Sequence, residues 1–107
     1  MAYDEELDAR VASVALSWDA ERKMMFGGTG YLLRGNMMAG VHRDRLVLRL
    51  GTEAGSAALD DPLVEPFDIT GRPMRGWVMV DPRGLDDADL RSWLIQARAF
   101  AESLPPK

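Results

Sequence analysis

Two arginines, Arg72 and Arg75, stand within FDITGRPMRGWV at positions 67–78, bracketed by Gly71, Pro73 and Gly76 and followed by Trp77. Guanidinium forks on a short connector, joined by backbone N–H groups, can converge on a phosphate or a carboxylate. The glycines and the proline specify a turn unaided. Pro73 fixes its own φ and biases Arg72 toward extended geometry, while Gly71 and Gly76 let the chain turn on either side. The arginines are therefore surplus to the turn. Their plain use is an ion pair with a carboxylate such as Asp68, a surface contact of about 0 to 1 kcal/mol.

Other residues that could do chemistry are sparse. KMMFGGTGY at 23–31 has the glycines of a phosphate loop, but a strand follows where the anion would need a helix N-terminus, so a hairpin is the expected structure. No GxGxxG motif in a parallel βαβ pattern occurs, which leaves no nucleotide or S-adenosylmethionine site. His42 is the only histidine; no recognisable ligand spacing surrounds it, and a solvated turn position is expected. Asp60 and Asp61 are adjacent at a helix stop, and no serine has a base partner other than His42. No catalytic, metal or cofactor site is expected.

The elements that would position these residues follow from periodicity. Leu7, Val11, Val14, Ala15 and Trp18 recur at helical spacing between Tyr3 and Trp18, with Asp4, Glu5 and Glu6 at the favourable end of the dipole. Two short strands, 21–26 and 31–33, are then joined by GGTG. RGN at 34–36 turns into a strand over 36–43, in which Met37, Ala39 and Val41 share one face and Met38, Gly40 and His42 the other. Strand 45–50 sends Leu46, Leu48 and Leu50 one way and Arg45, Val47 and Arg49 the other. A short helix capped by Thr52 runs to Leu59, and strand 64–69 is confined to an edge by Pro66. Trp77 anchors a strand over 77–81 in the core. An amphipathic helix starts after Asp86 or Asp87 and ends at Pro105 and Pro106. This order gives an α+β two-layer domain with helices on one face of an antiparallel sheet of about five strands.

Strand neighbours point to opposite faces, so one of Met24 and Met25, and one of Met37 and Met38, must lie on the outer face with the arginines. Methionine adapts its shape and is over-used on promiscuous binding surfaces. A mixed methionine and arginine face predicts a protein-binding surface or a homodimer interface. Its candidate residues are Arg72, Arg75, Met74, Arg45, Arg49 and Arg34.

Composition sets the outer bounds. At 107 residues, with 47% hydrophobic and 28% charged residues, the chain fits one domain spanning 1–107. No apolar run approaches the roughly twenty residues of a membrane span. The acidic opening MAYDEELDAR and the lack of cysteine place the chain in the cytoplasm. The net charge of −4 is uneven: residues 1–21 carry −5 and residues 22–49 carry +5, through Arg22, Lys23, Arg34, Arg43, Arg45 and Arg49 against Asp44. An acidic chain with one basic segment makes nucleic acid the second-ranked partner, behind protein.

KMMFGG at 23–28, GNM at 35–37, RLVLRLG at 45–51 and FDITGRPMRGWV at 67–78, in this order and at these separations, resemble the N-terminal domain of the bacterial competence regulators of the TfoX (Sxy) family. The resemblance spans nearly the whole chain. It implies a two-layer α+β fold similar to secretion chaperones and a link to transcriptional control of DNA uptake, and it brings no catalytic residue set. The expected function is a non-enzymatic binding or regulatory module acting through the sheet face and the 71–76 connector. The alternative is a nucleic-acid-associated factor using the basic meander.

Overall fold

Helix α1 (Glu5–Ala15) begins where the Asp4 carboxylate accepts a hydrogen bond from the Leu7 N–H, at 3.0 Å, and it ends in a single 3₁₀ turn, Leu16–Trp18. The computed structural model describes residues 3–25, 27–68, 71, 74–83 and 85–107. Strands β1 (Glu21–Met25), β2 (Gly28–Leu33), β3 (Asn36–His42) and β4 (Arg45–Arg49) follow as a meander. Helix α2 (Thr52–Ala58) leads to the short strand β5 (Val64–Pro66) and to β6 (Trp77–Val80). The chain closes with α3 (Asp87–Glu102), whose first turn is capped by Asp86 accepting from the Asp89 N–H at 2.8 Å.

The six strands form one antiparallel sheet in the order β1-β2-β3-β4-β6-β5. Strand β6 pairs with β4, so β5 is displaced to the edge, where Pro66 removes no ladder donor that the sheet needs. Cross-strand partners share a face. The row Tyr31, Ala39, Leu48, Val78 and the row Thr29, Val41, Leu46, Val80 therefore point the same way. That side meets Leu7, Val11 and Ala15 of α1 and Leu90, Leu94, Ala97 and Ala101 of α3 in one buried core. Helices α1 and α3 also pack on each other, and α3 crosses β2, β3 and β4.

Several expectations are corrected by this geometry. Gly28, Thr29 and Gly30 are not a connector but the first half of β2; of the expected connector only Gly27 stays outside the strands, and Phe26 lies outside the described residues. The reason is steric: a Cβ on Gly28 would fall 1.6 Å from the Val41 carbonyl oxygen, so glycine lets β2 and β3 close on each other. A β-bulge between Tyr31 and Leu32 exchanges the methionines. Met38 enters the core with Ala39 and Val41, while Met37 turns to the outer face with Gly40 and His42. Gly51, at φ 90°, stands at the α2 cap position in place of Thr52. His42 is the last residue of β3, half-buried with its ring edge-on to Phe67, and is no solvated turn residue. Ile69, the expected end of the fifth strand, lies outside the described residues, as does Gly84 of the turn after β6. In that turn the Arg83 guanidinium beside Asp81 holds its carboxyl at about 2.

One polar cluster ties α1 to the sheet. Asp8, only 6% exposed, accepts from the Tyr31 hydroxyl at 2.7 Å, the Thr29 hydroxyl at 2.8 Å and the Arg22 guanidinium at 2.7 Å. Burial opposes the charge on Asp8. The three hydrogen bonds and the Arg22 charge outweigh it and hold the carboxyl below its ordinary 3.8. Burial, followed by the bond to Asp8, raises the Tyr31 phenol above its ordinary 10.0.

Replacing Asp8 strands two buried hydroxyls and half of an ion pair. Asp8→Asn is expected to lower unfolding free energy by about 2 to 3 kcal/mol at neutral pH, read by urea denaturation. A carboxyl with a depressed folded-state pKa stabilises above its unfolded value, and that stabilisation is lost as pH falls through the folded value. The wild type should therefore lose stability below about pH 4 more steeply than Asp8→Asn; parallel acid limbs for the two proteins would contradict this role.

Candidate functional site

Both long helices lie on one side, so the opposite face of the sheet is assembled from the alternate residues. Its central row runs Lys23, Gly30, Gly40, Val47, Met79 and Glu65, with Met25, His42 and Arg45 on one side and Arg49 with Trp77 on the other. Two adjacent glycines leave bare backbone at the centre. Met25 and Met37 fold over it: a Cβ on Gly30 would lie 2.5 Å from the Met25 sulfur, and one on Gly40 would lie 3.0 Å from the Met37 Cε. Val47 is only 2% exposed although it faces away from the helices. The aromatic series His42, Phe67 and Trp77 lies on its side of the sheet, with centroid separations of 6.3 and 5.8 Å.

These residues line a groove of about 550 Å³. Met25 and Met37 stand over the glycine floor, Phe67, Met74 and Trp77 contribute from the connector side, and Arg49 and Lys107 supply the charges. No Asp or Glu side chain is among the lining residues. Arg49 sits 5.3 Å from the Trp77 ring centroid and 5.5 Å from that of Phe100, contacts of about 0.5 to 1 kcal/mol each. Lys107 is held there because its N–H donates to the Arg34 carbonyl at 2.9 Å, while the Asn36 amide donates to the Pro105 carbonyl.

Trp77, expected as a core anchor, is instead half-buried on this outer face. Its direction follows from register: Trp77 is opposite Arg49, whose face is set by the alternation against Leu48. The connector reaches this position through Gly76. The Gly76 carbonyl accepts from the N–H groups of Leu50 at 2.7 Å and Gly51 at 3.2 Å, and a Cβ on Gly55 would meet Gly76 Cα at 3.0 Å. Three glycines thus let the connector, the end of β4 and α2 meet without side chains between them.

The arginines expected at the interaction surface disperse. Arg72 and Pro73 lie outside the described residues. Met74 joins the groove, and Arg75 is exposed next to it, lining a second depression of about 500 Å³ against α2 with Glu53. Arg45 is engaged by Asp44 at 3.2 Å and Glu65 at 3.4 Å. Arg34 is exposed on the turn between β2 and β3, at φ 54°, and Arg43 on the turn between β3 and β4, at φ 56°. Those two turns are at opposite ends of β3. Arg22 is committed to Asp8, so the basic segment does not gather into one patch.

Among the described residues no three His, Asp or Glu side chains gather as metal ligands, and no helix is long and apolar enough to cross a membrane. Sequence reasoning missed three participants. Asp8 could have been found as the carboxylate within α1 at helical spacing from Val11 and Ala15, inside the apolar stripe. Gly30 and Gly40 carry no signal until the register places them side by side.

The arrangement defines a class: an α+β domain with a one-sided helix layer and an apolar, cation-edged groove on its bare sheet face. A family model for the TfoX N-terminal domain matches residues 15–101, and the chain belongs to that family. Comparison with curated proteins gave no match, and comparison with solved structures gave none.

Gly71 and Gly76 share φ 85° but differ in surroundings. A Cβ on Gly71 meets nothing within 4 Å, whereas one on Gly76 meets the Gly51 backbone at 3.0 Å. Both alanine variants incur the left-handed penalty of about 1 kcal/mol, and Gly76→Ala adds backbone displacement. Gly76→Ala should therefore destabilise by at least about 1 kcal/mol more than Gly71→Ala in chemical unfolding; equal costs would mean that the three-glycine contact is not held in solution.

Proposed function

We propose that this protein is a non-enzymatic, TfoX-like regulatory module that binds a protein partner through the outer face of its sheet and the adjoining connector. The observation that carries the reading is the groove: flexible methionines and an aromatic pair over a glycine floor, on a face that no helix covers. Methionines re-pack against differently shaped partners, and aromatic residues with arginine supply the anchors that dominate binding energy. Family membership supports the regulatory part of the reading.

Nucleic acid remains the competing partner class, through Arg22, Lys23, Arg34, Arg43, Arg45 and Arg49. Its weakness is geometric. Arg22 and Arg45 already face carboxylates, Arg49 is stacked on rings, and Arg34 and Arg43 are separated by the length of β3. A phosphate backbone is gripped by cations along one path, with a steep salt dependence.

Affinity capture from native-host lysate, with and without nuclease, separates these readings. Met25→Lys and Met37→Lys alter the groove, and Ile95→Lys alters an exposed position of α3. A nuclease-resistant protein should be recovered by the wild type and by Ile95→Lys, and at least about tenfold less by either groove variant, as expected for loss of an interface anchor. Recovery that collapses with nuclease, or that ignores both groove variants, would transfer the function to another surface.

A further inference from the structure

The groove has two chemical halves. One half is apolar: Met25 and Met37, which cover Gly30 and Gly40, with Phe67 and Trp77 beside them. The charged side chains, Arg49 and Lys107, are both cationic, and no side-chain carboxylate lines the groove. Among the described residues Arg49 makes no ion pair, and the rings of Trp77 and Phe100 fix its guanidinium at the rim. A cation held in place without a counter-charge, beside apolar surface, matches a ligand with an apolar body and one anionic head.

Size separates a small ligand from a broad surface. A volume of about 550 Å³ lies within the roughly 300 to 1,000 Å³ range of small-molecule sites, which are mostly apolar with a few placed polar groups. Pre-ordering of Arg49 by two rings lowers the entropy lost when it engages an anion. We infer that this groove binds a small amphipathic carboxylate, its hydrocarbon or aryl body against Met25, Met37, Phe67 and Trp77 and its carboxylate on Arg49. This rests on the reading of the outer face as the binding face and adds a ligand class to it. Because the same methionines would meet a protein partner, the bound carboxylate competes with that partner and regulates it.

The two glycines supply a selective test. The atoms nearest a Cβ at position 30 are the flexible ends of Met25 and Met37, whereas one at position 40 collides with the Thr29 carbonyl at 2.3 Å. Gly30→Val is therefore the variant that pushes Met25 and Met37 into the groove and keeps the strand, valine being a strong strand former. Arg49→Met removes the anion contact and keeps an unbranched side chain against the rings. Arg49→Lys restores charge alone.

The probes are anilinonaphthalene sulfonate, an aromatic anion, and its uncharged counterpart N-phenylnaphthylamine, titrated by fluorescence, with decanoate and decanol as competitors. Far-ultraviolet dichroism and melting accompany each variant. The wild type should bind the anionic dye saturably and release it to decanoate more readily than to decanol. Arg49→Met should weaken the anionic dye by about tenfold, as for a lost hydrogen bond to a charged group, and leave the neutral dye within about twofold. Arg49→Lys should recover most of that loss, and Gly30→Val should weaken both dyes. Equal response of both dyes to Arg49→Met, with both weakened by Gly30→Val, would overturn the anionic ligand class and leave the groove as the binding face. If Gly30→Val, still folded, changes neither dye, or if no saturable binding occurs, the inference falls; the capture experiment then decides separately whether the face binds protein.

Discussion

One-sided packing of α1 and α3 is the constraint on which the rest depends. Both helices bury their apolar stripes against the same rows of the sheet, and Asp8 fixes the placement of α1 by bonding Tyr31, Thr29 and Arg22 at once. A mislaid α1 would leave a charged carboxylate without partners, so the network specifies one docking as well as stabilising it. The consequence for the opposite face is immediate. Six strands present a second surface that no long helix covers, and its apolar content must be protected by side chains drawn from the sheet itself and from the connector.

That protection explains features that are otherwise unrelated. Phe67 stands between His42 and Trp77, and Val47 is buried on the same face. Methionines occupy the centre because the floor beneath them is glycine, and glycine is required where β2 and β3 approach through Gly28 and Gly40. Flexible side chains over bare backbone can be displaced by a ligand at little cost, since methionine has low shape demands. The same arrangement that shields the sheet therefore makes it a binding surface. Arg49 then gives that surface its charge preference, held by Trp77 of β6 and Phe100 of α3, so the chemistry of the groove is coupled to the helix layer behind it.

Much of this was legible in the residues. The stripes of α1 and α3, the Leu46 and Leu48 alternation and the split of each methionine pair follow from period alone, the edge position of β5 follows from the missing N–H of Pro66, and four motifs in register carried the family. Failures arose where tertiary geometry overrides local pattern. The bulge at Tyr31/Leu32 slips the face of Met37 by one residue, and a bulge has no signal in a sequence of strand formers. Gly28 and Gly30 read as a turn because glycine usually marks one, whereas here they permit close strand approach. Trp77 was expected to anchor its strand in the core, but its register opposite Arg49 sends it outward. Within 67–78, Phe67, Met74 and Trp77 line the groove and Gly76 carries the connector to it, while Arg75 lies beside it. Among the described residues, the arginine that lines the groove is Arg49, outside the connector.

The most direct test of the central claim uses the methionines as reporters, since Met25, Met37 and Met74 line the groove while Met24 is 63% exposed on the other side of the edge strand and Met38 is enclosed in the core. Methyl-carbon NMR of methionine-labelled protein, recorded while decanoate is added, reads all of them together. The account predicts saturable shifts at Met25, Met37 and Met74 with Met24 unmoved. Shifts concentrated at Met24, or spread evenly over all the methyl groups, would contradict the claim that the bare sheet face is the working surface.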